Sequence, residues 1–354
     1  MKHTHDDLDL EIADLERRLA EAKARRQQVQ QQQQQSTHPH HHQLQLSRPT
    51  PQPTPTATHF LLLLSDSALP LGSFAFSSGL ESYLTHQKLP STRLFHPSSS
   101  STSSASYSSF STFFPLSLSS MASTSLPFVL AAHRLLAYST IGNPDDDIPS
   151  VTTRLAALDD AADAALPCTV ARRASVAQGR ALLGIWERAF APAAAAAVGE
   201  GEKNGSGGGA KLQGVAMGAL KGFSSLLRSS GSSSSQATTT AATTVVEDEP
   251  PPVSAHLAPL FGAVCAVLGL SEEQAAYTFL LGHAKAVVSA AVRAGVFGPY
   301  QAQRTLAGAG VHELIGAVME REWHTPVEEA GQTVPVLDLW VGRHEVLYSR
   351  IFNS

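Results

Sequence analysis

The sequence predicts an all-α protein: a single helical domain with a disordered, partly coiled-coil N-terminal extension. Three observations carry that prediction. Apolar residues recur at helical steps, as at Leu260, Val264 and Leu268. Helix punctuation is explicit, with Ser271-Glu-Glu-Gln274 as a capping box, Gly269 and Gly295 where helices stop, and Pro299 suited to a first helical position. Strand-like alternation is scarce, and no internal repeat is evident.

In chain order, residues 1–58 form the extension. Leu8, Ile12, Leu15, Leu19 and Ala22 recur at alternating steps of four and three, a heptad seam too short to be stable unless it pairs. A glutamine run (Gln30 to Gln35), the cluster His38, His40, His41 and His42, and a Pro/Thr stretch follow, low-complexity sequence that buries no core. The helical domain spans 59–354, with flexible insertions expected at 97–125, which is serine-rich, and at 192–252, which carries glycine, serine and EDEPPP runs. Within the second insertion, Lys211 to Arg228 has the pattern of a short helix. Further helices are expected over Leu126–Thr140, Val151–Ala165, Val170–Phe190 and His256–Leu268, from the capping box to Ala294, and over Pro299–Glu322 as one piece.

Composition narrows the function classes. A chain of 354 residues holds one or two domains at roughly 150 residues each. A net charge of −5 leaves no basic footprint for nucleic acid. Cys168 and Cys265 are the two cysteines, too few for a disulfide framework or a Cys-rich metal site. The N-terminus is polar and charged, unlike a secretory signal, and no apolar run approaches the ~20 residues of a membrane span. The expectation is a cytoplasmic protein without membrane contact.

Four segments carry most of the information. Leu61 to Leu84 reads as a helix, a rigid Pro/Gly elbow and a second helix, with Ser67, Leu69, Pro70, Gly72, Phe74, Ser77, Gly79, Leu80 and Glu81 in order. Thr169 to Leu183 is an amphipathic helix on which Ser175 and Gly179 share a face and allow close packing, with Arg172, Arg173 and Arg180 exposed and Asp159-Asp160 upstream. His256 to Leu306 contains His256, Phe261, Gly262, Ala291, Arg293, Gly295, Gly298, Gln301, Gln303 and Arg304. Val334 to Ser354 is an unusually apolar chain end that must dock on its own domain or on a partner. His283, among apolar neighbours, is more often a packed, hydrogen-bonded residue than a ligand.

These segments, in this order, resemble the UreF family of urease accessory proteins, with Ala68 standing where the family pattern has proline. The tail matches at Pro335, Leu337, Asp338, His344, Glu345, Leu347, Tyr348, Arg350, Phe352 and Ser354. The resemblance implies a non-catalytic scaffold, a homodimer within a larger complex. It would bridge a UreD-type protein (also called UreH) and the GTPase UreG, and couple GTP hydrolysis to nickel delivery into apo-urease. It further implies that nickel and GTP are handled by the partners, and that the tail orders on meeting UreD. The partner-binding candidates are Pro70, Gly72, Phe74, Glu81, Arg173, Gln301, Arg304, Asp338, His344, Glu345, Tyr348, Arg350 and Phe352.

Two other classes stay open. A helical interaction module unrelated to urease would dimerise through its N-terminal heptads, and a small-molecule hydrolase would need a pocket with paired perturbed carboxylates. The sequence holds no GxxxxGK[ST], HExxH, CxxC or GxSxG, which favours binding over catalysis. Imidazole suits Ni²⁺, so His38, His40, His41 and His42 are a candidate nickel tract, with incidental affinity as the alternative.

Overall fold

The computed structural model describes residues 17–18, 20–21, 23–24, 56–87, 102–139, 147–195, 207–233 and 253–353. The chain divides into two units, Met1–Thr54 and Pro55–Ser354. In the first, the described residues, between 17 and 24, are helical and exposed. The full heptad seam and the histidine cluster lie outside the described residues.

The second unit is built from helices alone among the described residues. α1 (Thr56–Ser65) buries Phe60 and Leu64 and stops ahead of Asp66. Lys285 Nζ donates to the Ser65 carbonyl, a cation placed where the helix dipole favours one. The elbow follows. Gly72, at φ 75°, opens a single 3₁₀ turn (Ser73–Ala75), and Gly79, at φ 87°, leads into α2 (Leu80–Gln87).

α3 (Thr102–Tyr138) runs 37 residues, so residues 102–125 are helix where a flexible insertion at 97–125 was expected; residues 97–101 lie outside the described residues. Phe110, Phe114, Leu118, Ala122, Leu126 and Leu130 recur every four residues, and all are buried. Of the serines that suggested low complexity, Ser117, Ser120, Ser123 and Ser125 turn inward and are buried. Ser123 Oγ bonds to the Ser120 carbonyl at 3.2 Å and Thr124 Oγ1 to the same carbonyl at 2.7 Å, so these hydroxyls enter the core already satisfied. Pro127, lacking an N–H, leaves the Ser123 carbonyl free, and the Gly331 amide fills it at 3.1 Å.

α4 (Ile148–Ala164) starts at Asp147, whose carboxylate accepts from the Ser150 amide. α5 (Thr169–Ile185) runs into a π turn (Trp186–Phe190) and on through 191–195. α6 (Gly207–Ser233) contains the short helix expected within the second insertion and is longer than it. It packs on α4 so closely that a Cβ on Gly218 would lie 2.6 Å from Ile148 Cδ1. Arg228 and Ser224 both bond Glu187, and although burial alone would raise that carboxyl, these bonds hold it below its ordinary value. Residues 196–206 and 234–252 of that insertion lie outside the described residues.

α7 (Leu257–Val267) and α8 (Glu272–Arg293) follow, with Gly269 in the left-handed region between them and the capping box formed as expected. The helix expected over Pro299–Glu322 is instead α9 (Pro299–Ala307) and α10 (Ala309–Glu322). Gly308 between them is extended rather than helical, which breaks the run. α11 (Pro335–Arg343) and a 3₁₀ turn (His344–Val346) lead to the tail.

α3 is the hub, packed by α7, α8, α10 and α4. At its crossing with α7, a Cβ on Gly262 would lie 2.8 Å from the Val129 carbonyl carbon, so only glycine allows this approach. α3 and α8 prove long and apolar enough to cross a bilayer, contrary to the expectation that no run would be. However, 72% and 56% of their most apolar stretches are buried inside the protein.

Candidate functional site

Two polar junctions organise the face where α5, α7, the elbow and the tail meet. The first caps α7. Asp159 of α4 is fully buried, and its carboxylate accepts from three successive amides, Ser254 (2.6 Å), Ala255 (3.0 Å) and His256 (2.6 Å). Curling these amides around one carboxylate forces Ala255 to φ 71°, a left-handed conformation that costs on the order of 1 kcal/mol for a residue with a Cβ. The next amide, Leu257, donates to Ser175 Oγ of α5 at 3.2 Å. A helix start buried without acceptors would be costly, and two neighbouring helices supply them.

His256 completes this junction. Its Nδ1 lies 3.1 Å from Ser175 Oγ and its Nε2 3.0 Å from Asp163 Oδ1, with Arg172 Nε 3.4 Å from the same carboxylate oxygen. Hydroxyl, imidazole and carboxylate are thus connected as in a nucleophilic triad. Yet the hydroxyl sits mid-helix and already accepts the Leu257 amide, and the imidazole is wholly buried, so the set works as a cap. Gly179, one turn after Ser175, makes room for it: a Cβ there would lie 2.7 Å from the His256 carbonyl carbon.

The second junction joins elbow and tail. Glu81, in the first turn of α2, is buried. Its Oε2 lies 2.8 Å from His344 Nε2 and 3.4 Å from the Phe352 amide, and its Oε1 accepts the Ile351 amide at 2.7 Å. The Asn353 amide donates to the Ala75 carbonyl at 2.7 Å. Arg293 of α8 lies 4.2 Å over the Phe352 ring and donates to the Phe74 carbonyl. Arg173 pairs with Glu345 across an exposed gap.

Between the junctions lies a cavity of about 900 Å³, counting its open mouth. Ser117, Ser120 and Thr124 of α3, Ser175, His283 and Asp338 line it together with Met121, Phe279 and Val341. His283 Nε2 bonds Ser117 Oγ at 2.9 Å, as expected of a packed histidine. Burial pushes its imidazole down to about 4, with the Ser117 bond opposing. Asp338 accepts from Gln332 Nε2 at 3.1 Å. Burial pushes the Cys265 thiol far up, away from reactivity. No group of three or more His, Cys, Asp or Glu with metal-holding geometry occurs among the described residues.

The thirteen candidate residues therefore fall into groups. Glu81, His344 and Phe352 are buried and hold the tail to the body, while Gly72 shapes the elbow beside the exposed Pro70 and Phe74. Arg173, Glu345, Tyr348 and Arg350 are exposed on the tail face, and Asp338 lines the cavity. Gln301 and Arg304 sit apart from these, on α9. Sequence reasoning missed Asp163 and the α3 hydroxyls, though the shared face of Ser175 and Gly179 pointed to the close approach they frame.

The sequence profile of UreF matches residues 106–310. An "uncharacterized urease accessory protein UreF-like" from Schizosaccharomyces pombe is 32% identical over 297 residues, covering 84% of this chain and 97% of that protein. "Urease accessory protein 6" from Cryptococcus neoformans is 26% identical over 330 residues, covering 84% and 96%. "Urease accessory protein F" from Oryza sativa is 27% identical over 293 residues, covering 82% of each chain. With the profile spanning more than half of the chain and the fission-yeast relative matched nearly end to end, this chain belongs to the UreF family.

Proposed function

We propose that this protein is a urease accessory protein that acts in urease maturation by binding rather than by catalysis. Membership of the UreF family supports the first half of this reading. The observation that carries the second is the tail. A chain end that docks through Glu81 yet turns Leu339, Val346, Tyr348 and Ile351 to solvent presents apolar surface for another protein.

In finer terms, the protein is a scaffold, homodimeric within a larger complex in the cytoplasm. It bridges a UreD-type accessory protein and a UreG-type GTPase, so that GTP hydrolysis on the latter drives nickel insertion into apo-urease. Nickel and GTP belong to the partners in this reading. Arg173, Tyr348 and Arg350 then face the partner, with Pro70 and Phe74 at its edge.

Gene deletion and co-purification test this together. Deletion abolishes urease activity while apo-urease still accumulates, and the wild-type gene restores it. The full chain retains the UreD-type protein and a chain truncated after Val334 does not. Unchanged urease activity in the deletion strain would refute the role. Binding that survives truncation would move the interface onto the helical body.

A further inference from the structure

Arg172, Arg173, Ala174, Ser175 and Val176 stand in a row on α5. Two arginines three and two residues before a serine, with an apolar residue after it, form the charge pattern that basophilic serine kinases read. That serine is also a working part of the fold. Ser175 Oγ accepts the Leu257 amide at 3.2 Å and lies 3.1 Å from His256 Nδ1. The Asp163 carboxylate engages Nε2 of the same ring, so in the neutral imidazole Nε2 carries the proton and Nδ1 accepts from the Ser175 hydroxyl. One hydroxyl thus serves as acceptor and donor at the start of α7.

The folded protein withholds the site. A kinase takes its substrate as extended chain, whereas Ser175 is half-buried inside a helix of 17 residues. Both arginines are engaged. Arg172 donates to the Leu166 carbonyl at 3.0 Å and pairs with Asp163, and Arg173 pairs with Glu345. The crossing with α7 has no slack one turn further on, where a Cβ on Gly179 would lie 2.8 Å from the Leu257 amide nitrogen. Ser175 therefore becomes a substrate only after α5 has come away from α7, a local opening that costs less than global unfolding.

Phosphorylation changes what the junction can do. The γ-phosphorus of ATP bonds to Ser175 Oγ, its bond to the ADP oxygen breaks, and the hydroxyl proton leaves. The resulting ester oxygen has nothing to donate, so the neutral His256 ring loses its bond at Nδ1. The new group brings a charge of about −1.5 to −2 to a junction that already holds the Asp163 and Asp159 carboxylates. Its bulk falls beside a crossing that admits no methyl at the next turn.

We propose that Ser175 is a concealed phosphorylation site for a basophilic serine kinase, open only while α5 is detached from α7, and that the phosphate then keeps α5 from redocking. The modification marks chains whose helical body has opened and holds them out of the folded pool. It stands apart from the role in urease maturation, since it concerns the fold on which any such role depends.

The test incubates the full chain with ATP and the catalytic subunit of an Arg-Arg-directed serine kinase, and reads phosphate at Ser175 by mass spectrometry. Gly179→Ala wedges α5 from α7 and leaves residues 172–176 intact; it is modified about tenfold faster than wild type, or more. Asp159→Ala, which takes the acceptor from three amides of the same junction, behaves alike. Adding Arg173→Ala to Gly179→Ala slows modification by about tenfold, because the kinase loses one of the two charges it reads. Adding Ser175→Ala abolishes it. Wild type modified as fast as Gly179→Ala would overturn the concealment. No phosphate at Ser175 in either Gly179→Ala or Asp159→Ala would overturn the site. Hydrogen exchange reads the effect of the phosphate. In phosphorylated Gly179→Ala the His256 and Leu257 amides exchange about tenfold faster than after phosphatase treatment of the same protein. Equal protection in the two forms would overturn the block on redocking.

Discussion

Asp159 and Glu81 do the same chemistry in two places, and their surroundings separate what each does. Each is a buried carboxylate that collects backbone amides beside a buried histidine, His256 in one case and His344 in the other. Asp159 lies on α4 against the start of α7, where its three amides open a helix that packs on the hub. Glu81 lies at the edge, where its amides belong to the last residues of the chain. Hydrogen-bond count therefore does not rank the two. What the bonded segment carries does: a core helix in one case, a surface tail in the other.

The largest expected effect tests the core side of this contrast. Asp159→Ala leaves three buried amides without an acceptor and a left-handed Ala255 without its reason, and should cost about 3–5 kcal/mol. Thermal unfolding should show a single transition lowered by roughly 6–20 °C. A shift no larger than that of Glu81→Gln would erase the distinction between the two junctions.

Next comes Gly179→Ala, whose methyl would meet the His256 backbone and push α5 off the α7 cap. Overpacking of this kind costs about 1–3 kcal/mol, read as a lowered denaturation midpoint with an unchanged slope. The same change at the open Gly282 meets nothing within 4 Å and should be neutral or mildly stabilising, since alanine favours the helix interior.

Acidification probes the cavity between the junctions. His283 has its pKa lowered to about 4 from 6.5, so the folded protein resists a proton that the unfolded chain accepts. Its contribution is fully present above about pH 6.5 and is lost as pH falls through about 4, a change of about 2 kcal/mol after discounting for its partial exposure. His283→Gln should flatten that part of the stability profile. An equal slope in both proteins would assign it to other groups.

The smallest effect belongs to the exposed pair. Glu345→Ala removes the Arg173 contact and should change stability by less than about 0.5 kcal/mol. A larger loss in thermal stability would mean that the tail is held by surface charge as well as by the buried Glu81 carboxylate.

Much of the fold was legible in sequence because helix signals are local. The capping box at Ser271, the left-handed stops at Gly269 and Gly295, and Pro299 at the start of α9 each act within a few residues and appear as expected. The serine-rich stretch of α3 was not legible. Its composition resembles a linker, and the i, i+4 row from Phe110 to Leu130 has meaning only where other helices cover it. The candidate site was half legible. The motifs marked Glu81, His344 and Phe352, but not that they would meet one another.

By itself, the sequence determined the helical class, most helix ends, the elbow and the family resemblance, because these depend on backbone preferences and spacing along the chain. Only the tertiary structure decided which buried carboxylate holds the core and which holds the tail. Asp159 and Glu81 carry the same charge and the same kind of donors; the difference lies in what each bonded segment packs against, and that is set by contacts between residues far apart in the chain.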